Sequence, residues 1–80
     1  MPRDFPWWVY PKKMHLIHKH YPNLSKDQIN KECELFYDTF VLGGLIKPMS
    51  ADYNRYRRGW LKRADLTEAE NARKENKPYY

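Results

Sequence analysis

The chain has 80 residues, a single cysteine (Cys33) and a formal charge of +5, which limits it to one small domain and excludes an internal disulfide. Charged residues make up 31% and aromatic residues 16% of it, so it is not a disordered polyelectrolyte and it has apolar surface to bury. No apolar run is long enough to cross a bilayer, and Met1 to Tyr10 lack the unbroken stretch of a secretory signal; no membrane partner and a reducing compartment such as the cytoplasm are therefore expected.

Residues 1–11, MPRDFPWWVYP, carry prolines at 2, 6 and 11, which fix φ and withhold backbone donors, so this segment is predicted to be an extended arm. Phe5, Trp7, Trp8 and Tyr10 make the arm too apolar to stand free in water, so it lies either on its own domain, capping a thin core, or on a partner, and a partner-binding role is the reading favoured. Successive residues of an extended chain point to opposite sides, so one of Trp7 and Trp8 needs a surface other than its own domain.

Pro11 suits the first position of a helix, and Met14, Ile17, His18 and Tyr21 recur at helical spacing; a helix over about 12–20 is predicted, closing before Pro22. Ser25 and Gln28 form a capping box, and Leu24 and Ile29 form a hydrophobic staple around it, which starts a second helix. That helix is predicted to span 26–42, with Ile29, Cys33, Phe36 and Phe40 as its apolar stripe and Gly43 and Gly44 as its stop. Ser50 caps a third helix over 51–63, with Asp52 favourably placed in its first turn. Thr67 and Glu70 make a further capping box, predicting a short, frayed fourth helix. Lys77 to Tyr80 would be a second arm, tipped by Tyr79 and Tyr80.

The expected architecture is all-α. A three-helix domain over 12–66 lies between the arm over 1–11 and a weakly helical tail over 67–80. Its expected core is Met14, Ile17, Leu24, Ile29, Cys33, Phe36, Phe40, Leu45, Tyr56 and Trp60.

Charge is concentrated in the third helix. Residues 47–63 hold six Lys or Arg against Asp52 alone, whereas residues 1–40 hold six against five. On a helical wheel Tyr53, Tyr56 and Trp60 share one face with Arg57 beside them, while Arg55, Arg58 and Lys62 line the opposite face. Arginine binds phosphate bidentately and stacks on bases. Arg55, Arg57, Arg58, Lys62 and Arg63 are therefore candidates for phosphate contacts, and Tyr53, Tyr56 and Trp60 for stacking. The order cap, helix, turn, helix with a basic third helix generally resembles small helix-turn-helix domains, although the connection from Leu42 to Ser50 is longer than the tight turn of that motif. No residue roles follow from the resemblance.

Other chemistry finds less support. His15, His18 and His20 match no zinc-finger spacing, and Cys33 fits the apolar stripe of the second helix, so neither a metal site nor a cofactor is expected. No nucleophile–base pattern, phosphate-binding glycine loop or carboxylate pair stands out, so no catalytic residue is assigned and the chain is not expected to be an enzyme. The sequence points to a small basic protein that binds DNA or RNA. The alternative is an accessory or structural subunit of a large assembly, or a small regulator of a larger enzyme such as a polymerase, held through its aromatic arms.

Overall fold

A computed structural model describes residues 5–75 and contains three α-helices among them: α1 (Met14–His20), α2 (Lys26–Phe36) and α3 (Ala51–Glu75). The domain is small and all-helical, as its periodicity predicts. The capping box at Ser25 is formed in both directions. The Gln28 backbone N–H donates to Ser25 Oγ at 3.1 Å, and the Ser25 N–H donates to Gln28 Oε1 at 2.7 Å, satisfying donors that a helix start leaves free.

Helix α1 begins two residues later than expected. Lys13 takes a left-handed conformation with φ 54°, so the chain turns sharply between Pro11 and Met14 and Pro11 is not the first helical residue. With only seven residues, α1 depends on tertiary contacts rather than on its own propensity. Tyr21 closes it, its N–H donating to the carbonyls of Ile17 and His18.

Helix α2 does not run unbroken to residue 42. From Tyr37 to Val41 the chain widens into a π-helical turn, in which the Leu42 N–H donates to the Tyr37 carbonyl at 3.1 Å. The turn ends where glycine is required. A Cβ on Gly43 would collide with the Thr39 carbonyl oxygen, and Gly44 has φ +77°. The Phe40 carbonyl then accepts from the N–H groups of Leu45 and Ile46, folding the connection back so that Ile46 is buried and Leu45 is 70% exposed.

Helix α3 continues through the expected fourth helix. Ser50 caps it, its Oγ accepting from the Tyr53 N–H at 3.1 Å. Thr67 is not a second cap, because its hydroxyl donates to the Arg63 carbonyl at 2.9 Å one turn back, as a mid-helix threonine does. No glycine or proline lies between Trp60 and Glu75 to break the helix. Lys77, Pro78, Tyr79 and Tyr80 lie outside the described residues.

Two clusters form the core. One joins Val9, Leu24, Ile29, Cys33 and Leu61, and the other joins Phe36, Ile46 and Tyr53, with Trp8 packed against both. The expected core is thereby corrected at several places. Leu45 and Tyr56 are exposed, Met14, Ile17, Phe40 and Trp60 are half-buried, and Val9, Ile46, Tyr53 and Leu61 are the buried residues that the pattern missed. The buried stripe of α3 passes through Tyr53, Arg57, Leu61, Ala64 and Asp65, a rotation away from the aromatic stripe.

The N-terminal segment is not a free extended arm. Trp7–Val9 form one turn of 3-10 helix, and Val9 is fully buried. The Phe5 ring meets Tyr10 and Tyr37 edge-on, Trp8 meets Tyr37 and Tyr53, and the Tyr10 hydroxyl donates to Glu34 Oε2 at 2.6 Å. A thin core of this size gains stability by drawing these rings onto itself. Trp7 alone of the four faces solvent, 65% exposed.

Candidate functional site

The three candidate stacking residues separate on folding. Tyr53 is 1% exposed beneath Trp8 and Phe36 and presents no face to a partner. Burial raises the pKa of its hydroxyl, opposed by the charge of the adjacent Arg57 guanidinium. Trp60 is half-buried, with its indole N–H donating to Glu32 Oε1 at 2.9 Å and so tying α3 to α2. Only Tyr56 among them is open, 47% exposed.

The five candidate cations also diverge. Arg55 pairs with Asp52 at 2.8 Å and lies over the Tyr56 ring. Arg57 turns inward: its Nη1 donates to the Val9 carbonyl at 3.2 Å and its guanidinium covers Tyr53. Arg63 lies on the side of α3 that faces α2, near Lys31 and Glu32. Arg58 and Lys62 are exposed and, among the described residues, meet no carboxylate in an ion pair.

Arg57, Arg58 and Lys62 border a groove of about 540 Å³ between α3 and the end of α1, together with His20. Its lining also includes the apolar side chains of Ile17, Leu61 and Leu66. Asp65 is the single carboxylate in its lining, and the carboxylate is already engaged: Oδ1 accepts from the Asn23 N–H at 2.8 Å and Oδ2 from the Asn23 side-chain amide at 3.3 Å. That pair also locks the turn between α1 and α2 onto α3. Tyr21 stands on the rim, its pKa raised by burial against the nearby Arg58 and Arg57 charges, so its phenol stays protonated at neutral pH.

A second groove of about 290 Å³ lies further towards the start of α3, lined by Trp7, Trp8, Tyr10, Lys12, Asn54 and Arg57 among others. Lys12 Nζ sits 5.0 Å over the Trp7 ring. The aromatic and cationic parts of this surface come from the N-terminal segment and from α3 respectively. Proline spacing and the Trp7–Trp8 pair pointed to the first of these, but nothing local in the sequence joined them.

The histidines and Cys33 do not converge. Among the described residues no group of three or more His, Cys, Asp or Glu is placed to hold a metal ion. Cys33 is fully buried, and burial pushes its thiol up to about 11 from 9.0, with the Arg57 charge opposing. The group is a packed thiol, not a nucleophile. In the folded protein it should react with a disulfide reagent at neutral pH only as fast as the domain opens, and at once in denaturant; equal rates would place the thiol at the surface. Because the unfolded thiol ionises near 9 and the folded one near 11, its contribution to stability is full below pH 9 and is lost as pH rises towards 11.

No helix among the described residues is long and apolar enough to span a membrane. Comparison of the chain with protein-family models, with curated proteins and with solved structures finds no match.

Proposed function

We propose that this protein binds nucleic acid through the basic flank of α3 that faces α1, as a binding module rather than an enzyme, in a reducing compartment such as the cytoplasm. The observation that supports this most is the groove bordered by Arg57, Arg58, Lys62 and His20, whose one carboxylate is already held by Asn23. An excess of cations over carboxylate beside apolar side chains suits a polyanion that also carries flat apolar groups. Arg55 has a smaller part, since Asp52 offsets its charge.

Reversing Arg58 and Lys62 together tests the proposal, since both are exposed and neither supports the core. The parent should bind an oligonucleotide at about 50 mM salt, with affinity falling steeply as salt rises. The double variant should bind about tenfold or more weakly and with a shallower salt dependence, by roughly one to two in slope. Absent binding by the parent, or unchanged binding by the variant, would overturn the proposal.

A second reading, an accessory subunit of a protein assembly, draws on a different observation. Leu42, Leu45 and Met49 in and after the helix-ending turn are 61%, 70% and 57% exposed, more apolar surface than one short connection needs. A complex from the native source that survives nuclease would favour it.

A further inference from the structure

We propose that the ligand of this basic flank is a single strand, laid in a track along α3 with one base stacked on Trp7. This deepens the nucleic-acid reading and rests on it. The grooves of about 540 Å³ and 290 Å³ described above both include Arg57 in their walls. Arg57 stands between them, and the two grooves succeed one another along one flank of α3 from Asn54 to Leu66, a distance of about 18 Å at the helical rise. That length holds a few nucleotides of extended strand.

Charge along the track is predominantly positive. Lys12, Arg57, Arg58 and Lys62 line it, and Asp65, hydrogen-bonded by Asn23, is the one carboxylate among the described residues of the two walls. Arg57 is held at the junction by the Val9 carbonyl, so the strand would pass a fixed guanidinium. Trp7, 65% exposed with Lys12 over its ring, places a large planar group beside a cation at one end. Stacking on an aromatic face with phosphates on neighbouring cations is how sequence-tolerant single-strand binding works.

The same geometry disfavours a duplex. A helix that enters a DNA groove must stand proud of its domain, whereas Arg58 and Lys62 flank a channel whose other wall is the end of α1. A duplex has its bases stacked inside and could offer nothing to Trp7. An acidic peptide without aromatic residues could meet the cations but has no planar group for the indole.

The test uses the full chain, a fluorescent single strand and its duplex of about 12 nucleotides, and an oligoglutamate of similar charge. Trp7→Ala removes only an exposed ring, and a thermal melt like the parent's verifies that the fold is kept. The single strand should bind at least about tenfold tighter than the duplex and quench tryptophan fluorescence, and Trp7→Ala should weaken it about tenfold while leaving duplex binding unchanged. If the duplex binds as well as the single strand, or if Trp7→Ala changes nothing while reversal of Arg58 and Lys62 weakens binding, the track is wrong and the broader nucleic-acid reading stands. If oligoglutamate binds as tightly as the single strand, the site is for acidic protein segments and both fall. Failure of the parent to bind any oligonucleotide likewise removes both.

Discussion

Replacing Phe36 by alanine should cost the fold about 3–5 kcal/mol, the usual range for deleting a buried aromatic ring. Phe36 is fully buried at the meeting of α2 and α3. Its ring lies 4.8 Å from Phe40, 5.3 Å from Tyr53 and 5.7 Å from Trp60, the last two edge-on. Two of its neighbours are held in place, Tyr53 packed under Trp8 and Trp60 tethered to Glu32. A domain of this length has a total stability of only about 4–12 kcal/mol by the usual per-residue range. The variant should therefore melt lower by about 12 °C or more and, at the lower end of that stability, populate the unfolded state at room temperature. Phe36→Leu, which keeps most of the volume, should lose about half as much or less. Denaturant titration of the three proteins checks this, and a Phe36→Ala midpoint close to the parent's would show that the ring is not the centre of the core.

The sequence disclosed the elements whose determinants are local. Ser25 and Gln28 are three residues apart and satisfy each other's backbone groups, so the start of α2 can be read without knowing the fold. The same locality misled at Thr67, where the residues of a capping box occur in a helix that simply continues. The rotation of α3 was a tertiary question. Tyr56 and Leu61 are equally able to be buried, and the choice falls to Leu61 because Val9 and Leu24 cover that flank. The candidate cations were all visible as residues, yet their grouping depends on a contact between Arg57 and Val9 that spans 48 positions. Hence the arginines were legible and the groove was not: a helical wheel has no second wall.

A chain beginning at Pro11 should not fold. Viewed as an arm, residues 5–10 would be dispensable to the domain and needed only by a partner; their contacts argue the reverse. Val9 is fully buried against Leu24, Ile29, Cys33 and Leu61, and burying a valine side chain contributes about 1.5–3 kcal/mol. Trp8 packs against both core clusters, and deleting a tryptophan of that kind costs about 3–5 kcal/mol. The truncation would also strip the Tyr10 hydroxyl from Glu34 and the Val9 carbonyl from Arg57. Those contributions together are comparable to the whole stability expected for a domain of this size. Circular dichroism of the truncated chain should accordingly show most of the helical signal gone and no cooperative melt. A truncated chain that keeps both would mean that the segment lies on a domain already complete without it. The consequence for testing function is direct: loss of binding after removing this segment would report unfolding, whereas under the proposed single-strand track Trp7, exposed at the segment's surface, is the side chain whose removal would separate recognition from stability.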